Sequence, residues 1–179
     1  MFEEIEWPGV QIPSDSWRIK EVNHSLRTGI SFGLTSGVIT TLGLMVGLNS
    51  STHSKLVVMG GILTIAVADA FSDALGIHIS QEADSNNKTG EVWEATAATF
   101  AAKFLFALTF LIPVIAFELG TAIIVSVAWG LLMLGILSYR IAKSHNERPI
   151  KVIGEHLLVA ILVIILTNYF GGLIASRFG

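Results

Sequence analysis

Long apolar stretches separated by short polar segments account for most of the chain. Three of these stretches, residues 29–48, 119–139 and 157–176, contain no charged residue. A helix needs roughly 20 apolar residues to cross a hydrocarbon core of about 30 Å, and each of the three is long enough. Transmembrane β-strands would alternate polar and apolar residues over about ten positions, whereas in these stretches both the odd and the even positions are mainly apolar. The pattern therefore predicts transmembrane α-helices.

Two more stretches have the length of a span but carry charge. Residues 56–80 include Asp69 and Asp73, and residues 95–117 include Lys103. With these two, we predict an all-α integral membrane bundle of five spans. Their approximate bounds are residues 26–48, 56–80, 95–117, 119–139 and 157–177.

The segments around the spans set the domain organisation. Residues 1–23 contain acidic residues and prolines, with no basic region ahead of an apolar core, so they are not a signal peptide. We expect them to be a cytoplasmic segment in front of a single transmembrane domain, residues 24–179.

Pro113 is expected to kink the third span, because proline has no N–H to donate and its ring collides with the preceding turn.

The composition agrees with a membrane protein. Hydrophobic residues make up 52% of the chain and charged residues only 14%, whereas about a quarter of a soluble domain is charged. The chain has no cysteine, which excludes disulfides and thiolate metal ligands. We expect the lipid bilayer to be the main partner, and no nucleic acid to bind.

Lysine and arginine are distributed unequally between the two ends of the predicted bundle. Basic residues next to spans are retained in the cytoplasm. With five spans, one end would carry Arg18, Lys20, Arg27, Lys88, Arg140, Lys143, Arg148 and Lys151, and the other only Lys55 and Arg177. We therefore expect the N-terminus in the cytoplasm and the C-terminus outside. The protein would be a multi-pass protein of the plasma membrane if its source is prokaryotic.

Small residues line one face of the first span. Gly29, Gly33 and Gly37 repeat every four residues, a spacing that lets helix backbones approach closely. This face fits either tight packing within the chain or a packing seam between two copies in a homodimer. Ser36 and Thr40 in the same span either line a hydrated path or bond back to their own helix.

Two carboxylates lie inside the second predicted span. Asp69 and Asp73 are four residues apart and so project from one helix face, with Ser72 beside them. Ionisable groups at membrane depth usually face an ion path, a cavity or a partner. Two carboxylates in a medium of low dielectric repel each other unless a proton or a cation lies between them, and a divalent cation meets that demand. The alternative is that both aspartates pair with Lys103.

Other candidate ligands are fewer and softer. His78 and Glu82 follow the aspartates toward the expected cytoplasmic end, and Met45 offers a thioether from the first span. Oxygen ligands suit magnesium, calcium and manganese, while imidazole or thioether shifts the preference toward iron. The predicted metal ligands are Asp69, Asp73, Glu82, His78 and Met45, and the predicted polar lining of the ion path is Ser36, Thr40 and Ser72.

Two stretches resemble the vacuolar iron transporter family. Residues 36–47, SGVITTLGLMVG, are similar to that family's first transmembrane segment. Residues 68–76, ADAFSDALG, followed by Ser80, are similar to its second. The chain looks like the short microbial members, which lack a cytoplasmic metal-binding domain. The resemblance implies a homodimer that exchanges ferrous or manganous ions for protons along a path near the first two helices.

Three positions depart from the family's pattern. Ser36 stands where the family typically has an acidic residue, Asp73 where it has methionine, and Ile77 where it has glutamate. Compared with the family's pattern, this chain therefore lacks one thioether and two carboxylates and has one additional carboxylate. Relative to iron, such a harder site favours manganese, magnesium or calcium.

These observations together predict a divalent metal ion transporter, for iron or manganese, that exports the ion from the cytoplasm in exchange for protons. The ion is then the substrate, no permanently bound cofactor is expected, and the protein is not expected to be an enzyme. Two alternatives stay open. One is an intramembrane metal-dependent phosphotransferase, whose motif the spacing of Asp69 and Asp73 resembles but whose upstream aspartates are missing. The other is a non-transporting membrane metal sensor or scaffold.

Overall fold

The computed structural model describes residues 16–85 and 87–179, with the backbone alone described for 16–23. Those residues form α-helices and no strand. The helices are α1 (Ser16–Thr52), α2 (Lys55–Glu82), α3 (Thr89–Thr109), α4 (Leu111–Ala116), α5 (Leu119–Ser144) and α6 (Pro149–Phe178). Five segments are long and apolar enough to cross a membrane, with α3 and α4 together making one of them. The predicted all-α membrane bundle is confirmed.

The third span breaks where proline predicts a break. Helix α3 ends at Thr109, and α4 begins two residues later at Leu111. Pro113 is the third residue of α4 and so lies in its first turn, where the missing N–H has no helical partner to lose. The exposed carbonyls at the other end of α4 are satisfied by Lys55, whose Nζ donates to the oxygens of Ile115 and Phe117 at 3.2 and 3.0 Å.

Helix α1 is the centre of the bundle and packs against α2, α3, α5 and α6. A glycine lies at a close point of each of these four contacts, and three of them serve as examples. A Cβ atom built on Gly43 would lie 2.7 Å from Val163 of α6, and one built on Gly130 of α5 would lie 2.7 Å from Leu42 of α1. One built on Gly33 would lie 2.6 Å from the carbonyl oxygen of Thr99 in α3. The small residues therefore bring α1 close to its neighbours on several sides.

The predicted glycine face of α1 is buried within the chain. Gly29, Gly33 and Gly37 lie in sequence against the stretch of α3 from Ala95 to Lys103, so the two helices run in the same direction. The structure thus gives this face the first of its two predicted roles, packing within the chain. A seam with a second copy on the same face would need the space that α3 fills.

The apolar core surrounds the middle of α1. Val38, Leu42 and Met45 are buried there, together with Ile62 of α2 and Phe110 at the break between α3 and α4. The outer faces of the helices are also apolar and are left exposed by the bundle, most of all on α6. Exposed apolar surface on this scale belongs in lipid.

The basic side chains gather at one end of the bundle. That end holds the α2–α3 connection, the α5–α6 connection and the part of α1 that starts at His24. The lysines and arginines there are Arg27, Lys88, Arg140, Lys143, Arg148 and Lys151. We refer to it as the basic end; it is the end expected in the cytoplasm. The predicted N-terminal segment up to residue 15 lies outside the described residues.

Replacing Gly33 by alanine should destabilise the protein. The added methyl group would meet the Thr99 carbonyl oxygen at 2.6 Å and the Ala102 methyl carbon at 3.2 Å, so α1 and α3 would have to separate. Overpacking of this kind typically costs about 1–3 kcal/mol. The matched control is Gly135→Ala in α5, where a Cβ atom meets nothing within 4 Å. Equal thermal stability of the two variants in detergent would contradict the assignment of the α1–α3 contact.

Candidate functional site

The candidate site is a cluster of three charged side chains in the middle of the bundle. Asp69 and Asp73 lie one turn apart on α2, as their spacing predicts. Lys103 faces them from α3, which runs antiparallel to α2, and its side chain is only 2% exposed. The three groups belong to spans that are otherwise apolar, so each is a charge that needs a partner.

The Lys103 ammonium lies between the two carboxylates. Its Nζ atom is 2.6 Å from Asp69 Oδ2 and also contacts Asp73 Oδ2, to which it donates a hydrogen bond. It donates a further hydrogen bond of 2.9 Å to Ser36 Oγ on α1. An ammonium has three N–H groups, and these three oxygens surround it from α1 and α2. Lys103 therefore ties together the three helices that meet at this point.

Asp69 is held to Lys103 by an ion pair rather than by an aligned hydrogen bond. Its Oδ2 atom is buried and lies 2.6 Å from Lys103 Nζ, so its charge is compensated directly. Asp73 takes the aligned bond instead. With both carboxylates ionised and the lysine charged, the cluster carries two negative charges and one positive charge, a net charge of −1. A proton on one of the carboxyl groups would bring this net charge to zero.

Asp69 also lines a groove on the outside of the bundle. The groove lies between α1 and α2 and has a volume of about 690 Å³. Leucine, isoleucine and valine side chains form most of its wall, and Thr40, Thr64 and Ser72 add hydroxyl groups. Thr40 and Thr64 donate these hydroxyls to the carbonyl oxygens of Ser36 and Gly60 in their own helices, which leaves the hydroxyl oxygens to accept. The groove is a mostly apolar recess with a few hydroxyl groups, and Asp69 lies in its wall.

A glycine on α1 makes room for the lysine. A Cβ atom on Gly37 would lie 3.3 Å from Lys103 Cγ and 3.5 Å from its Cα, so the stem of the lysine runs along a helix surface that has no side chain. Ser36, the next residue along α1, then meets the ammonium. The glycine face and the charge cluster are therefore parts of one arrangement.

His78 and Glu82 form a separate pair at the basic end. His78 Nε2 lies 4.0 Å from Glu82 Oε2, one turn further along α2. Its Nδ1 atom lies 3.0 Å from Thr96 Oγ1, and Thr96 already donates its hydroxyl proton to the Val92 oxygen at 2.7 Å. Nδ1 must therefore carry the proton in that contact. The Nε2 nitrogen is left to face Glu82, an arrangement typical of a histidine that can bind a cation.

The predicted metal ligands are not brought together in one place. His78 is five residues beyond Asp73, which is about 7.5 Å along a helix axis. Met45 is completely buried in the apolar core and does not line the groove that reaches Asp69. Within residues 16–85 and 87–179, no three histidine, aspartate or glutamate side chains form a group that could hold a metal ion. The side-chain oxygens that lie close together around Lys103 Nζ are those of the two aspartates and of Ser36.

Lys103 is the residue that the predicted ligand set leaves out. The sequence offers it only as an alternative partner for the aspartates, and the structure shows that pairing. Its position inside an apolar span was the signal available, because a lysine at membrane depth requires an anionic partner.

The chain matches no family model and no curated protein. The resemblance to the vacuolar iron transporter family therefore rests on the two stretches of sequence alone.

Replacing Lys103 by methionine should leave two carboxylates buried without a cation. Removing one partner of a buried ion pair typically costs about 3–5 kcal/mol of stability. Adding Asp73→Asn to Lys103→Met removes one of the two repelling charges, so the double variant should lose less than the sum of the single losses, with a coupling of about 0.5–3 kcal/mol. The measurement is unfolding by denaturant in detergent with a chelator present.

The control for this cycle is Lys143→Met. Lys143 is exposed in the last turn of α5, and changes at exposed positions usually stay within about 0.5 kcal/mol. Strict additivity of the Asp73 and Lys103 substitutions would show that the two side chains do not interact.

Proposed function

We propose that the protein is a transporter that exchanges a divalent cation, Mn²⁺ or Fe²⁺, for protons, with Asp69 and Asp73 as the cation ligands. The observation that carries the proposal is the placement of the Lys103 ammonium between two carboxylates, one of which lines a groove on the outside of the bundle. The ammonium holds the position that a transported cation would take. The resemblance to the vacuolar iron transporter family agrees with this function.

The two carboxylates differ in how they meet the ammonium. Asp69 Oδ2 is buried and paired with Lys103 Nζ at 2.6 Å, while the Asp69 side chain keeps 24% of its surface exposed and lines the groove. A carboxylate that holds a cation on one side and is accessible on the other favours a site through which ions exchange.

The charges of the cluster give a simple exchange cycle. In the loaded state, two ionised carboxylates hold one divalent cation and Lys103 is a neutral amine, so the total charge is zero. In the unloaded state, Lys103 has taken up one proton and one carboxyl has taken up another, and the total charge is again zero. One divalent cation is therefore exchanged for two protons without a change in the charge buried in the membrane. Keeping that charge constant avoids the large free energy of burying a net charge.

The proposed route runs from the basic end to the groove. Glu82 and the Nε2 atom of His78 would attract a hydrated cation at the basic end of α2. Asp73 and Asp69 follow at deeper positions on the same helix, and Asp69 opens to the groove with Thr40 and Ser72. If the basic end is cytoplasmic, this order of ligands corresponds to export.

The ligands favour hard cations. Carboxylate and hydroxyl oxygens suit Mn²⁺, Mg²⁺ and Ca²⁺, and the thioether that would raise the preference for iron lies in the core at Met45. We therefore rank Mn²⁺ first among the substrates to test.

A homodimer, which the family resemblance implies, would use α2. The outer face of α2 presents Leu63, Val67, Phe71 and Leu75, all about half exposed or more. A second copy could bury these side chains away from lipid. The glycines of α1 would not take part, because they already pack against α3.

Transport is tested with purified protein in liposomes. We expect Mn²⁺ uptake that is accelerated by an opposing proton gradient and is unaffected when the membrane potential is clamped, because the exchange is electroneutral. Asp69→Asn and Asp73→Asn should each reduce the flux at least about tenfold, since one ligand and one proton site are lost. Glu147→Gln, in the exposed α5–α6 connection, is the control and should keep the wild-type flux.

Undiminished flux in both aspartate variants would show that the cation travels elsewhere. Absence of uptake for Mn²⁺, Fe²⁺, Mg²⁺ and Ca²⁺ alike would instead favour a membrane sensor or scaffold, in which Lys103 serves only to join α1, α2 and α3.

Mn²⁺ should stabilise the Lys103→Met variant more than the wild-type protein. Without the ammonium, the cation meets two ionised carboxylates and no competitor, so we expect its affinity to rise about tenfold or more. Ligand binding raises stability by about 2.7 kcal/mol at a concentration 100 times the dissociation constant. Thermal unfolding in a Mn²⁺ titration measures this effect. The Asp69→Asn/Lys103→Met variant, which has one carboxylate fewer, should lose it; equal shifts in all three proteins would contradict a cation site at the cluster.

A further inference from the structure

A second cavity lies at the basic end, away from the charge cluster. It occupies about 530 Å³ between α1, α5 and α6, a volume within the usual range for small-molecule sites. Its wall contains one arginine and three histidines, Arg27, His24, His145 and His156. Hydroxyl groups from serine and threonine side chains of α1 and α5 complete the polar part of the wall.

The described wall of this cavity is cationic. Arg27 is always charged and offers five N–H donors in a planar fork that matches a phosphate group. The imidazoles of His24 and His145 each offer at least one further N–H donor. The lining residues that the structure describes include no aspartate and no glutamate. An anion would therefore meet donors and positive charge without an opposing carboxylate.

Hydrogen bonds fix the ring of His156 at the cavity. Ser138 Oγ is buried on α5, donates to the Leu134 oxygen at 2.6 Å, and lies 2.7 Å from His156 Nδ1. Because the serine proton is already used, Nδ1 must donate to Ser138. The ring is thus held in one orientation, and its Nε2 nitrogen is the one left for other partners.

The last turn of α5 reaches this cavity through Ile141 and Ser144. The C-terminus of a helix carries a partial negative charge on its last carbonyl oxygens. Here the Ile141 oxygen accepts from Ser144 Oγ at 2.9 Å and from the His145 amide at 3.1 Å. These bonds satisfy that carbonyl, and the positive charge of Arg27 has to outweigh the partial charge that remains.

We propose that this cavity binds an anionic phosphate group, carried by a lipid headgroup or by a soluble molecule. Basic pockets between transmembrane helices at the cytoplasmic side are a known form of lipid headgroup site. Phe32 and Ile141 make part of the wall apolar, which suits a ligand with a hydrocarbon portion. The site shares no residue with the Lys103 cluster, so it does not depend on the proposed transport.

The test measures ligand binding to the full-length protein in detergent. The probes are short-chain phosphatidic acid, short-chain phosphatidylcholine and inorganic phosphate, and the readout is the dissociation constant from titration by native mass spectrometry or calorimetry. Arg27→Gln removes the permanent charge from the cavity. Arg148→Gln is the matched control, because Arg148 is exposed at the same end but does not line the cavity.

We expect saturable binding of phosphatidic acid, weakened about tenfold or more by Arg27→Gln and unchanged by Arg148→Gln. Binding of inorganic phosphate that is weakened by Arg27→Gln and unchanged by Arg148→Gln would also support the site, and would indicate a soluble ligand. If Arg27→Gln does not fold, His145→Gln takes its place, since His145 is exposed in the cavity wall.

Three results would overturn the proposal. They are no saturable binding of either phosphate probe, equal binding of phosphatidylcholine and phosphatidic acid, and equal weakening by Arg27→Gln and Arg148→Gln. The second would show recognition of acyl chains alone. The third would show a general effect of positive charge at the basic end.

Discussion

The ion pairs of Lys103 are the interaction on which the rest of the structure depends. A lysine and two aspartates inside apolar spans are stable only if they meet, and they meet only if α1, α2 and α3 approach closely. The glycines of α1 allow that approach, and Ser36 completes the ammonium's set of partners. Close packing and charge compensation therefore require each other. Helix–helix packing in lipid gains little from the hydrophobic effect, which makes such polar contacts more decisive than in water.

Most other hydroxyl groups in the spans are satisfied without help from a neighbouring helix. Thr40, Thr64, Thr99 and Thr167 each donate to a carbonyl oxygen four residues earlier in their own helix. Their donors are thus used locally, and a polar residue in a span does not by itself indicate a path for ions. Against this background Asp69 differs, because its buried Oδ2 atom is compensated by an ammonium from another helix.

The number and positions of the spans follow from the sequence, because run length is a direct measure of what can cross a bilayer. The ends of the helices follow less well from the sequence. Helix α5 continues to Ser144, beyond its predicted end at residue 139. Helical hydrogen bonds continue there although the hydropathy of the sequence has already fallen. The site was predictable in part. Asp69 and Asp73 share a face by spacing alone, and the pairing of Lys103 with them could be offered as an alternative. A span that is apolar all round gives no signal of its rotation, so the burial of Met45 could not be derived.

The contacts of α1 differ in how easily they can change. Against α3 its glycines meet backbone atoms, such as the Thr99 carbonyl oxygen, which cannot move without moving the helix. Against α2 the close contact at Gly61 is made by the ends of the Leu44 and Leu48 side chains, which can adopt other rotamers. Helices α1 and α3 therefore form the more rigid pair. Helix α2 is joined to them by the ion pairs of Lys103, by the contact of His78 with Thr96 and by the ring contact of Phe71 with Phe100. The ion pairs are the part of this contact that a change in the charge of Lys103 would weaken.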